Sequence, residues 1–183
     1  MGSETLRNVR LFESLDKEEL SALSELTFVR TFEKDSVIIW AEDEGDALFI
    51  IADGQVKVSI VSEDGREVIL SLLSKNAVFG ELSLLDGRPR SANVIAIEET
   101  QLVMLRRIDF LALIQKTPSI AVALLAELAS RLRKTDRQIE GLALLDVASR
   151  ISDTLLQLAI EQGVDSNMGI VVENRPTHQE LAN

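Results

Sequence analysis

Between Thr27 and Arg106 the chain is a succession of short apolar, β-branched runs separated by glycine turns, and this texture constrains the fold more than any other feature. The runs are Val37–Trp40, Ala47–Ala52, Val56–Val61, Val68–Leu73, Val94–Ile97 and Leu102–Leu105, punctuated by Gly45, Asp53-Gly54, Asp64-Gly65 and Asp86-Gly87. β-Branched residues fit a pleated surface, and glycine supplies the backbone freedom that tight turns need. Strands at such regular spacing predict a sandwich or barrel. Asp64-Gly65 is predicted to close a hairpin.

Helical patterns flank this region. Asp16-Lys17-Glu18-Glu19 has the spacing of a capping box, and Leu20, Leu23 and Leu26 follow at helical intervals. After Arg107 a short helix to about Lys116 is predicted, then a break at Pro118 and a long helix from about Ser119 to Gly141. In that helix Ala121, Leu125, Leu128, Leu132, Thr135, Ile139 and Leu142 recur at alternating steps of four and three, the spacing of a coiled-coil seam. A homodimer through this helix is expected; the competing reading packs the helix on its own barrel. Thr135 interrupts the aliphatic seam, either to set register or to meet a ligand.

A further helix is predicted from about Leu145 to Glu161, and a strand at Ile170–Val172. Thr177-His178-Gln179-Glu180 has the spacing of another capping box, yet only three residues follow Glu180. An isolated helix needs roughly 12–15 residues, so the chain is expected to stop inside a further domain.

Composition excludes several functions. The chain has no cysteine and one histidine in 183 residues, so no thiolate or histidine-rich metal site is expected. A cupin-type barrel enzyme, which needs two or three histidines, is the remote alternative. Trp40 is expected in the core and His178 on the surface. No apolar run approaches a membrane span, and the N-terminus lacks the pattern of a signal peptide. A cytoplasmic protein is expected. The net charge of −11, with 19 dispersed Lys and Arg, opposes binding to a nucleic-acid backbone by these residues alone.

The stretch Phe79 to Val94, FGELSLLDGRPRSANV, carries the chemistry. Gly80 lets backbone approach a ligand closely, and Glu81 to Leu85 can form one helical turn with N–H groups toward an anion. Arg90 offers a fork of donors suited to phosphate oxygens, and Ser91 a hydroxyl. Taken singly, Arg90 reads as a solvated loop charge and Glu81 as an ordinary acid opening a helix. The combination suits a cyclic phosphodiester on a ribose whose 2′-hydroxyl Glu81 accepts.

This segment resembles the phosphate-binding cassette of cyclic-nucleotide-binding domains, those of the Crp/Fnr family of transcription regulators in particular. LFIIADGQVKV at Leu48 to Val58 is similar to the family's barrel strands, GLALLDVASRI at Gly141 to Ile151 to its hinge, and RPTHQELAN at Arg175 to Asn183 to the first helix of its winged helix-turn-helix. The resemblance implies a mainly β fold with α-helices, a double-stranded β-helix (jelly-roll) barrel followed by a dimerisation helix. The implied domains are a nucleotide-binding barrel at 1–117, the dimer helix at 118–142, and at 143–183 the hinge with the start of a DNA-binding domain. It assigns Gly80, Glu81, Leu82, Ser83, Arg90, Ser91 and Ala92 to the cassette, and Arg131, Thr135 and Asp136 to positions facing the nucleotide and its base. Where Asp136 stands, the cyclic AMP-responsive member carries Ser. The implied ligand is cyclic AMP, with cyclic GMP as the other candidate and no metal. The implied role is non-enzymatic: the nucleotide shifts the attached DNA-binding domains, and the full-length protein meets DNA and RNA polymerase. The alternative is a relative that senses a different effector, or none.

Overall fold

The computed structural model describes residues 2–144, together with 149, 152, 155–156, 159–160, 163–167 and 169–172. The chain divides into two compact units, 1–126 and 127–183.

The first unit opens with helix α1 (Gly2–Arg7), a 3-10 turn at Arg10–Phe12, and helix α2 (Lys17–Glu25). The capping box forms as predicted. The Glu19 amide donates to the Asp16 carboxylate at 2.8 Å, and the Asp16 amide donates to the Glu19 carboxylate at 3.1 Å. Leu20 and Leu23 are buried, whereas Leu26 is exposed because it caps the helix instead of extending its apolar face. α1 lies outside the sequence reading. Its six residues are too few to show a period, and its burial depends on packing against α2 and the first strand.

Eight strands follow: β1 (Thr27–Phe32), β2 (Val37–Ile39), β3 (Ala47–Asp53), β4 (Gln55–Val61), β5 (Glu67–Ser74), β6 (Val78–Phe79), β7 (Asn93–Ala96) and β8 (Thr100–Arg106). They form two antiparallel four-stranded sheets, ordered β1-β8-β3-β6 and β2-β7-β4-β5. Six of the eight were predicted to within two residues at each end. β1 and β6 were not: β1 is a sheet edge whose residues, apart from Phe32, are at least partly exposed and show no alternation, and β6 has two residues.

β3 is buried along its whole length except Asp53, so it reads as one continuous apolar run. One reason is that α3 (Glu81–Asp86) and α4 (Arg107–Lys116) both pack on it. Between the sheets lie Phe32, Ile39, Phe49, Ile51, Val56, Phe79, Val94 and Leu102. The β4–β5 hairpin turns at Gly65, whose φ of +82° is the left-handed conformation that the Asp64-Gly65 pair announced.

Along this hairpin the Ser59 hydroxyl, wholly buried, donates to one Glu67 carboxylate oxygen at 2.7 Å, and Lys57 Nζ donates to the other at 2.7 Å. The Lys57 ammonium first, then the Ser59 hydroxyl, hold the Glu67 carboxyl below its ordinary range. A depressed carboxyl pKa stabilises the fold above the unfolded value of about 4.5, and the stabilisation disappears as pH falls through the folded value. Glu67→Gln, which keeps an acceptor for Ser59, is therefore expected to cost about 0.2–1 kcal/mol at pH 7. Thermal unfolding at pH 7 and pH 3 checks this; an equal loss at both would refute the ionic origin.

The long helix is α5 (Pro118–Leu144), longer than predicted by one residue at its start and three at its end. Ile120 and Leu124 are buried in the first unit, so the first turns of the helix do pack on their own domain. The predicted seam runs along the neighbouring stripe, where Leu125, Leu132 and Ile139 are 66%, 63% and 58% exposed. In the second unit β9 (Val164–Ser166) pairs antiparallel with β10 (Gly169–Val171), the latter being the predicted strand shifted by one residue. Most of the predicted helix from Leu145 to Glu161 falls outside the described residues; those described within it are helical. The capping box at Thr177 and His178 lie outside them altogether.

Candidate nucleotide-binding site

α3 is set by two glycines. Gly80 precedes it at φ +81° and Gly87 ends it at φ +70°. Gly80 is required on two grounds, since an added Cβ there would also lie 2.7 Å from Arg90 Nη1. On α3, Glu81, Ser83 and Leu84 are buried, while Leu82 and Leu85 are exposed. The Arg107 Nε–H donates to the Leu84 carbonyl at 3.0 Å and ties the end of α3 to α4.

The chain returns through Gly87-Arg88-Pro89 to Arg90, which is not a solvated loop charge: it is 5% exposed. Its backbone is held by the 41–46 loop, the Arg90 amide donating to the Asp43 carbonyl at 2.8 Å and the Glu42 amide to the Arg90 carbonyl at 2.9 Å. Its guanidinium lies 5.6 Å from the Phe49 ring centroid, and Phe49 stacks on Phe79 at 5.1 Å. Nη1 donates to the Gly80 carbonyl at 2.7 Å and to Ser83 Oγ at 2.9 Å, and Nη2 to the Ala47 carbonyl at 2.8 Å. Burial lowers the Arg90 pKa from its ordinary value, and the charges of Asp46 and Glu81 oppose that shift. A buried guanidinium held by neutral carbonyls, with carboxylates near, is a preformed cation suited to an anion.

The structure thus gathers Gly80, Glu81, Ser83 and Arg90 into one site, with Ala92 buried and Ser91 exposed beside Arg90. Arg131, Thr135 and Asp136 lie on α5 in the second unit. Arg131 Nε donates to Glu127 at 3.1 Å, the Thr135 hydroxyl donates to the Arg131 carbonyl one turn back at 3.1 Å, and Asp136 is exposed. Thr135 therefore satisfies its hydroxyl within its own helix.

Ala47, Phe49, Gly45 and Asp46 were not read as site residues. Ala47 acts through its backbone and Phe49 through its ring face, which a sequence of apolar residues cannot announce; Gly45 showed only as a turn. Trp40, expected in the core, is 59% exposed. β2 ends at Ile39, so Trp40 falls in the loop instead of the strand.

The fold is that of a cyclic nucleotide-binding domain, and that family matches residues 29–117. The chain is 37% identical over 172 residues to a cyclic AMP receptor protein of Thermus thermophilus, covering 94% of this chain and 76% of that one. It is 35% identical to a global nitrogen regulator of Synechococcus elongatus, covering 84% and 70%. The crystal structure of a catabolite activator protein from Thermus thermophilus superposes with a TM-score of 0.67 at 37% identity, covering 85% of this chain and 72% of that one. The chain belongs to the Crp/Fnr family of transcription regulators.

Proposed function

We propose that this chain is the sensing and dimerisation part of a regulator that binds cyclic AMP, or cyclic GMP, without catalysing a reaction. The observation that carries this reading is the buried Arg90 guanidinium, oriented by Gly80, Ser83 and Ala47 beside the buried Glu81. Arg90 and Ser91 take the cyclic phosphate and Glu81 the ribose 2′-hydroxyl. Leu82 and Ala92 line the cassette, and Arg131, Thr135 and Asp136 serve the nucleotide and its base. Residues 1–117 are the sensor, 118–142 the dimer helix, and 143–183 the hinge and the beginning of the DNA-binding domain. Nucleotide binding favours one arrangement of the helices and so shifts the DNA-binding domains. The full-length regulator is a cytoplasmic homodimer that engages DNA and RNA polymerase.

Calorimetric titration with both nucleotides tests the reading. Arg90→Leu removes charge-assisted hydrogen bonds worth roughly 1.5–3 kcal/mol each, so affinity is expected to fall at least about tenfold. Asp136→Ser is expected to move preference toward cyclic AMP, because a carboxylate accepts from both the ring N–H and the amine of guanine. Parent protein that binds neither nucleotide would favour the alternative, a family member sensing another effector or none.

A further inference from the structure

The Arg90 guanidinium has five N–H donors. Three are committed to the protein's own acceptors, Gly80 O, Ala47 O and Ser83 Oγ, which leaves the Nε–H and one Nη2–H for a ligand. Two of those acceptors are backbone carbonyls and cannot be altered by substitution. The third, Ser83 Oγ, is a side chain, 4% exposed on the first turn of α3. Ser83 is thus the one adjustable anchor of the arginine.

Gly45 lies against the same pair. A Cβ at Gly45 would sit 2.2 Å from Ser83 Oγ, 2.7 Å from Ser83 Cβ and 3.0 Å from Arg90 Cζ. Gly45 is not among the glycines with positive φ. Its φ is therefore not the left-handed one that favours glycine, and the close approach of Ser83 and Arg90 is what a side chain there would meet.

We propose that Ser83 and Gly45 are positioning residues for Arg90. The Ser83 hydroxyl fixes the plane of the guanidinium so that its two remaining donors face the phosphate. Gly45 is the clearance that lets Ser83 and Arg90 meet. The proposal rests on the reading of Arg90 as the phosphate contact, and it makes recognition of the anion depend on a loop outside the cassette.

The test compares variants of the whole chain by cyclic AMP calorimetry, thermal unfolding and NMR of the Arg90 side chain. Ser83→Ala removes one charge-assisted hydrogen bond and is expected to weaken binding by on the order of three- to tenfold. On an Arg90→Lys background the same substitution is expected to change affinity less than about twofold, since its effect passes through the guanidinium. Gly45→Ala drives a methyl into the pair and is expected to cost about tenfold or more. Gly45→Ala combined with Ser83→Gly is expected to recover part of that loss, because the two nearest colliding atoms, Ser83 Oγ and Cβ, are gone and only the contact with Arg90 Cζ remains. Without nucleotide, the Nη protons of Arg90 should rotate slowly in the parent and faster in Ser83→Ala, a signature that general loosening of the barrel would not confine to one arginine.

Equal effects of Ser83→Ala on both backgrounds, no recovery in the double variant, or unchanged Arg90 rotation would each overturn the proposal. Arg90→Leu separates this from the parent reading. If Arg90→Leu binds cyclic AMP as tightly as the parent, the phosphate assignment falls and takes the proposal with it. If Arg90→Leu is weak while Ser83→Ala and Gly45→Ala bind normally, only the positioning roles fall.

Discussion

Replacing Leu128 and Leu132 together by Glu is expected to dissociate the proposed α5 dimer into monomers, read by light scattering as a halving of mass. Leu132 is 63% exposed on the isolated chain, as are Leu125 and Ile139 to similar extents, on a stripe of the helix next to the one that buries Ile120 and Leu124. Fully burying a leucine side chain contributes about 1.5–3 kcal/mol. Two such residues from each subunit therefore make a large share of the free energy of a seam this length, and four buried carboxylates in their place would lack partners. Thr135 does not oppose this interface, because its hydroxyl is already satisfied by the Arg131 carbonyl and brings no unmet donor into the seam. An unchanged mass would remove α5 as the dimer contact.

Gly54→Ala is expected to be among the most destabilising single methyl additions in the barrel. Gly54 is the one residue between β3 and β4, and these strands belong to different sheets, so the chain crosses from one layer to the other at this point. Its φ is +89°, and an added Cβ would lie 2.6 Å from the Glu99 carbonyl oxygen, 2.6 Å from Thr100 Oγ1 and 2.7 Å from Thr100 Cα. Left-handed backbone costs a residue with a Cβ roughly 1–2 kcal/mol, and overpacking adds about 1–3 kcal/mol. The obstructing atoms are largely backbone, at the start of β8, and cannot rotate aside. Thr100 is itself pinned, its hydroxyl donating to the carbonyls of Gln55 at 3.1 Å and Glu98 at 2.9 Å. Melting is expected to fall by on the order of 10 °C; a fall of only a degree or two in thermal unfolding would refute the argument.

The parts of the fold that were legible in the sequence are those where one rule acts alone. The Asp16–Glu19 capping box, the Asp64-Gly65 turn and the apolar run of β3 each follow from local chemistry, and each appears as expected. β1 and β6 were not legible because their pairing with β8 and β3 is a property of partners distant in sequence. The same holds for the site. Arg90 and Glu81 could be named from their types and spacing, but that Arg90 is buried, and that Ala47 and Ser83 are its partners, depends on how β3 and α3 converge. Trp40 shows the opposite error, a large apolar side chain assigned inward by type when a strand one residue shorter than expected leaves it outside.

The pairing of β1 with β8 has a consequence for synthesis. The first strand of the barrel and the last lie side by side, from Thr27 opposite Leu105 to Phe32 opposite Thr100. Such contacts close a loop spanning nearly the whole barrel sequence, and folding slows as contacts become more distant along the chain. A nascent chain cannot complete its first sheet until β8 has cleared the ribosome, and until then β3 lacks one of its two neighbours in that sheet, the other, β6, being only two residues long. The interval before β8 emerges is therefore the one in which an unpaired strand edge of this barrel is exposed.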